Sequence, residues 1–159
     1  MAIFEYVTDL DCDIDWLYDF LIHPANAVLV TPPQLKPRLL EGPERLEVGS
    51  RLTMQIRRFG LPQTMHVEVK RLEPGRLLQD DQVKGPFRRW SHTHTLQPLG
   101  PGRTRMIDRI EFEKPAPPLG WLVTESFIRR DLEAMFRHRE QRFRELAQQQ
   151  QRRATTESA

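Results

Sequence analysis

The chain has 159 residues, 38% hydrophobic and 29% charged, with a formal net charge of +2 and a single cysteine. That is the size of one domain with a sizeable core, and aromatic residues spread along the chain exclude a disordered composition. Cys12 alone excludes a disulfide framework and any zinc site needing two thiolates. The charge surplus is too small to demand nucleic acid, no apolar run approaches a membrane span, and the start MAIFEYVTDLDCD lacks the basic and apolar parts of a signal peptide. A soluble, cytoplasmic protein is the expectation.

The charge is unevenly spread. Residues 1–30 hold Glu5, Asp9, Asp11, Asp13, Asp15 and Asp19 and no Lys or Arg, while residues 119–153 hold eight arginines against five acids. Those arginines alternate with Glu and Asp, as on the solvated face of a helix.

In chain order, residues 2–10 alternate as a strand. Asp11 or Asp13 can then cap a helix whose apolar face carries Ile14, Leu17 and Leu21 with Trp16 and Phe20. Pro24 stops it, and residues 25–31 allow one or two further helical turns before Pro32-Pro33. From 36 to 113 short runs alternate. Leu52, Met54 and Ile56 share one face, as do Met65, Val67 and Val69, with turns at Gly42-Pro43, Gly49, Arg58-Phe59-Gly60-Leu61-Pro62, Pro74-Gly75, Gly85-Pro86 and Gly100-Pro101-Gly102. This predicts an antiparallel meander of about six strands, one side of the sheet facing water. After Lys114-Pro115-Ala116-Pro117-Pro118 the period becomes helical from Leu119 to Leu146, about seven turns. Residues 147–159 are polar and low in complexity, expected as a frayed tail behind a single domain over 1–146. The fold class is therefore α+β, a curled sheet around a long C-terminal helix, with a ligand pocket in the gap between them.

The segment 85–112 carries the polar residues that do not fit a plain core. Trp90, His92, His94 and Leu96 share a face, as do Thr104, Met106, Asp108, Ile110 and Phe112. A symmetric hairpin centred near Gly100 pairs Trp90 with Ile110, His92 with Asp108 and His94 with Met106. That sets a His–Asp pair on an otherwise apolar concave face, either as a satisfied core pair or as a ligand-orienting or proton-transferring dyad. The preceding strand offers Gln79 and Asp81, or Asp80 and Gln82, to the same side. A Gly85-Pro86 turn pairs Asp81 with Trp90 and Gln79 with His92, which favours Gln79 and Asp81 as inward.

Other chemistries find little support. His92 and His94, two residues apart on a strand, could chelate a metal with Asp108 as a third ligand. A cupin would add a Glu where Pro98, Leu99 and Gly100 stand, so no metal or other cofactor is expected. The Asp9-x-Asp11-x-Asp13 start of a calcium loop fails at Ile14 and Phe20. No Walker loop, GxGxxG or GxSxG occurs. Cys12 sits among four Asp residues and reads as inert.

Asp81-Gln82, Gly85-Pro86-Phe87, Trp90-x-His92-x-His94, Thr104, Asp108, Pro115 to Gly120 and Met135 to Arg139 together resemble the SRPBCC (START-like) superfamily of birch-pollen-allergen and polyketide-cyclase type, as do His23-Pro24-x-Asn26 and Thr31-Pro32-Pro33. The resemblance spans residues 2–146. It implies a helix-grip fold, a seven-stranded antiparallel sheet wrapped round the C-terminal helix, and a deep cavity for a hydrophobic small molecule such as a lipid, isoprenoid or polyketide. It carries over no catalytic residues.

Three functions follow as expectations. The first is a carrier or sensor of an apolar ligand. Its pocket would be lined by Met54, Ile56, Met65, Val67, Trp90, Met106, Ile110 and Phe112 from the sheet and by Ile128, Leu132 and Phe136 from the helix. His92, His94 and Asp108 would be the polar anchors, beside Gln79 and Asp81, and the segment Pro24–Pro33 and the loops at Gly60 and Gly85 would frame the mouth. Burying a ten-carbon ligand supplies roughly 8 kcal/mol before costs, enough for micromolar binding. The second is a cyclase or dehydratase in which His92, oriented by Asp108, is the acid or base. The third is an interaction module with a filled interior. Monomer and homodimer both remain open.

Overall fold

The computed structural model describes residues 1–58 and 60–159; Phe59, within the turn expected at 58–62, lies outside them. One antiparallel sheet holds seven strands in the order β1-β7-β6-β5-β4-β3-β2. These are β1 (Ala2–Leu10), β2 (Arg38–Glu41), β3 (Arg51–Arg58), β4 (Leu61–Glu73), β5 (Leu77–Lys84), β6 (Arg89–Gly100) and β7 (Arg103–Glu113). From β2 to β7 each strand pairs with the next in sequence, as a meander of short turns demands, and β1 closes on β7. Between β1 and β2 come α1 (Ile14–Leu21) and two 3₁₀ segments, Pro24–Val30 and Pro33–Leu35. Asp13 occupies the N-cap position of α1, although its side chain makes no capping hydrogen bond.

The helical stripe expected as one helix from Leu119 is divided. Helix α2 (Leu119–Leu122) ends at Val123, and α3 (Glu125–Ser158) starts afresh where the Thr124 hydroxyl accepts the Phe127 amide. The outer face of α3 carries Glu125–Arg129, Glu133–Arg137 and Glu140–Arg144 pairs four residues apart, which accounts for the arginine-rich stretch. Where a frayed tail is expected from 147, the helix continues to Ser158. Ala147 is packed into the core and Gln151 donates to the Asp11 carbonyl, so the polar stretch propagates from an anchored turn.

Two registers differ from the sequence expectation. In the β6–β7 hairpin, Trp90 faces Phe112, His92 faces Ile110, His94 faces Asp108 and Leu96 faces Met106. The centre is displaced because Pro101-Gly102 form the tip, with Gly102 at φ 68°, while Gly100 pairs with Arg103 and a bulge intervenes at Pro98. A shift of two residues keeps the same side chains inward but moves Asp108 from His92 to His94. Between β5 and β6, Asp80 faces His92 and Asp81 faces Ser91. This one-residue difference reverses the faces, so Asp80 is inward and Gln79 and Asp81 are not. The Gln82 side-chain amide bonds both the carbonyl and the N–H of Phe87, bridging the connection and setting its span.

The interior is divided into three apolar clusters. One gathers Leu10, Cys12, Leu17, Val30, Leu96, Met106, Phe143 and Ala147. A second gathers Phe4, Ile110, Phe112, Ile128, Leu132 and Phe136. A third, beneath α1, holds Ile22, Leu46, Leu52, Val67, Val69 and Leu78. Helix α3 serves the first two, and Arg139 falls between their contributions. Phe143 has no solvent exposure. Phe143→Ala should cost about 3–5 kcal/mol, readable as a lower urea midpoint with an unchanged slope.

Candidate functional site

The concave face is set by strand alternation. On β7, Thr104, Met106, Asp108, Ile110 and Phe112 are buried while their neighbours are not. Pairing then places Tyr6 of β1 opposite Asp108, His94 of β6 on its other side, and Asp80 of β5 beyond His92. A carboxylate is thereby carried to the middle of the sheet with no access to solvent. Stranding an ionised carboxylate there costs several kcal/mol unless it is paired. The pairing comes from two imidazoles. His92 Nε2 donates to Asp108 Oδ1 at 2.9 Å, and His94 Nδ1 lies 2.6 Å from the same oxygen at an angle poor for a hydrogen bond. The two rings lie 4.0 Å apart, centroid to centroid.

Helix α3 adds Arg139, whose guanidinium lies 5.2 Å from the Phe136 ring and 5.6 Å from that of Phe143. Burial pulls it below its usual value, and Asp108 and Asp80 pull the other way. Burial raises Asp80 to about 6, against the charge of His94 and helped by Asp81. His92 is pushed down to about 4 by burial and then by His94, with Asp108 opposing, so its ring is neutral at pH 7. Burial works against ionised Asp108, but His94 and His92 outweigh it and hold the carboxyl well below its usual range. Tyr6 donates to Glu140 Oε2 at 2.5 Å, tying β1 to α3 beside the cluster. One donor atom each from Asp80, His92 and His94 lies within 4.8 Å of the other two, so these are the residues that could hold a metal.

The expected lining residues fall into two groups. Val67, Met106, Ile110, Phe112, Ile128, Leu132 and Phe136 are buried within the apolar clusters. Met54, Ile56, Met65 and Trp90 keep partial exposure, Met54 and Met65 packing against the third cluster and Trp90 against the second. Gln79 and Asp81 stand apart on the other face, where the Gln79 amide donates to Ser91 Oγ at 3.2 Å. At the end of this half an open cavity of about 510 Å³ is lined by Lys36, Arg57, Arg58, Gly60, Phe127 and Asp131, among others. Arg58 and Asp131 form an ion pair across it, joining β3 to α3. The cluster lies beside Phe136 and Arg139, about 8–12 Å further along α3.

Asp80 is the alternative that the sequence offered and the assumed turn disfavoured, and the one-residue register difference restores it. One functional candidate, Arg139, escapes the sequence reading. Arg139 lies three residues after Phe136 and four before Phe143, on the apolar stripe itself, and that spacing is the signal that could have found it.

Residues 36–147, most of the chain, match the family described as Domain of unknown function (DUF8410). The chain belongs to this family. No curated protein sequence matches it. Among solved structures, this DUF8410 chain is similar to the START superfamily protein from Mycobacterium smegmatis, at 14% identity and a TM-score of 0.70, covering 92% of this chain and 97% of that one. It is similar to the Zhui aromatase/cyclase from Streptomyces sp. R1128, at 18% identity and a TM-score of 0.69, covering 92% and 93%. It is similar as well to the ginseng major latex-like protein 151 from Panax ginseng, at 18% identity and a TM-score of 0.60, covering 87% and 95%. The DUF8410 domain thus has the SRPBCC/START-like helix-grip fold. No helix among the described residues is long and apolar enough to cross a membrane.

The two titrating groups act on stability with opposite signs. Between pH 6.5 and 4 the unfolded chain protonates an imidazole that native His92 leaves neutral, so His92 lowers stability as pH falls. Asp80 sits near 6 in the native state against 3.8 unfolded, so it lowers stability as pH rises across that interval. The two offset each other. Asp80→Asn should therefore steepen the acid loss of stability between pH 6.5 and 4.5, by on the order of 2 kcal/mol. Urea unfolding at both pH values in chelator-containing buffer measures it, and an unchanged slope means Asp80 is ionised in the native state throughout.

Proposed function

We propose that this domain binds a small, largely apolar molecule carrying one polar group, held between α3 and the β3–β6 half of the sheet. The observation that carries this reading is the position of the Asp108–His92–His94 cluster. It borders the half of the concave face where Met54, Ile56, Met65 and Trp90 stay partly exposed, and the three apolar clusters do not merge across it. Apolar walls with a few placed polar groups are what a small-molecule pocket requires. The walls supply affinity by excluding water, and His92, Asp80 and Arg139 supply orientation through hydrogen bonds and charge. The open cavity that Arg58 and Asp131 line at the end of this half supports that end as the entrance. The aromatase/cyclase among the similar structures supports a polyketide-like or other polycyclic ligand class.

A second reading, proton transfer on the bound molecule, is favoured by one observation. Asp80, at about 6, matches neutral pH as an acid or base better than His92, at about 4, although His92 is oriented by Asp108 at 2.9 Å. Turnover by either group would place the domain with cyclases or dehydratases; binding alone would place it with carriers or sensors.

Binding of the fluorescent apolar probe 1-anilinonaphthalene-8-sulfonate tests the first reading. Wild type should bind it with a micromolar Kd. Met65→Trp, which enlarges a partly exposed side chain on the proposed wall, should raise that Kd at least tenfold while far-ultraviolet circular dichroism stays native. Absence of binding, or equal binding by the variant, overturns the site. For the second reading, His92→Ala and Asp80→Asn are compared for turnover of a linear poly-β-ketone. Loss of turnover with retained probe affinity supports catalysis, and unchanged turnover in both variants removes it.

A further inference from the structure

The donor atoms of the central cluster are arranged for more than hydrogen bonding to an organic ligand. We propose that Asp80, His92 and His94 form a binding site for a divalent transition-metal ion of the zinc type, with Asp108 orienting both imidazoles from behind.

The geometry supplies the first argument. One donor atom of each of the three residues lies within 4.8 Å of the other two. Asp108 Oδ1 stands 2.9 Å from His92 Nε2 and 2.6 Å from His94 Nδ1. A carboxylate oxygen approached so closely by two ring nitrogens needs a proton on each of them. The lone pairs then fall on His92 Nδ1 and His94 Nε2, which have no hydrogen-bond partner among the described residues. A carboxylate behind a histidine, setting its tautomer so that the other nitrogen faces a metal, is the usual support of a metal-binding imidazole.

Incomplete satisfaction supplies the second. His94 is only 6% exposed and its Nδ1 lacks a well-angled hydrogen bond, while Asp108 is fully buried and its Oδ2 has no partner. The Asp80 side chain makes no hydrogen bond among the described residues, its backbone pairing in the sheet apart. The orphaned His94 Nδ1 and Asp108 Oδ2 lie on the Asp108 side of the rings and are not donors to the ion; the donors without a hydrogen-bond partner among the described residues are the Asp80 carboxylate, His92 Nδ1 and His94 Nε2. With both imidazoles neutral, two carboxylates against one guanidinium, Arg139, leave the cluster a net negative charge when Asp80 is ionised.

The donor set narrows the ion. Two imidazoles and one carboxylate suit zinc, cobalt and related first-row ions, whereas calcium and magnesium ask for more oxygens and copper(I) for sulfur. Three protein ligands leave a fourth position for water or for a polar group of a bound molecule. A tetrahedral site with bonds of about 2.1 Å sets its ligands roughly 3.4 Å apart, so binding draws these side chains inward by rotamer adjustment. The inference goes beyond the ligand reading and does not depend on it, because it concerns the donor atoms alone.

Chelator-stripped full-length protein titrated with Co²⁺ tests it. The expected result is saturable one-to-one uptake with visible d–d absorption of a four- or five-coordinate ion, and a higher thermal midpoint with Zn²⁺. Asp80→Asn and His94→Ala should each weaken Co²⁺ binding at least tenfold, while His23→Ala, His66→Ala and His138→Ala should not. If His94→Ala does not fold, the near-isosteric Asp80→Asn decides. No saturable uptake by wild type, full affinity in Asp80→Asn, or loss in any of the three control variants overturns the site.

Discussion

A single carboxylate sealed from water, that of Asp108, sets the terms for the interior of this domain. Its charge must be answered from within, and the answer comes from the neighbouring strand, where His92 and His94 both address Oδ1. Those rings in turn occupy space that apolar side chains would otherwise fill, and Arg139 enters from the helix to balance the acids. The result is a grip whose ends are oily and whose middle is polar. A buried polar cluster of this kind is weak evidence for stability, because well-packed apolar residues often do as well.

The architecture was legible from the sequence because each level agreed with the next. Period-two runs punctuated by Gly and Pro marked the meander, and the change to a helical period after Pro118 marked the long helix. What was not legible turned on quantities that pattern alone does not carry. The face of β5 depended on a Gln82 side chain bridging to Phe87, a contact invisible to alternation, and it exchanged Gln79 and Asp81 for Asp80. The partner of Asp108 depended on whether the hairpin tip fell at Gly100 or at Pro101-Gly102. Because that displacement was even, His92, His94 and Asp108 still met. The extent of α3 depended on a tertiary anchor at Ala147 and Gln151 that low-complexity composition concealed.

The same reasoning explains why the comparisons speak to fold and not to activity. Similarity at 14–18% identity is carried by alternation, turn chemistry and the helical stripe, all satisfied by many side chains. The groups that would distinguish a carrier from a catalyst are few, and they are central. In the reading proposed for this chain they are Asp80, His92, His94, Asp108 and Arg139.

The division of the core has a consequence for evolvability. Helix α3 is pinned to the sheet near Ile128–Phe136 and again near Phe143–Ala147, and the span between the pins contributes little apolar cohesion. Residues that face this span can be replaced without loosening either pin. Such a layout separates the positions that hold the scaffold together from those free to vary in chemistry.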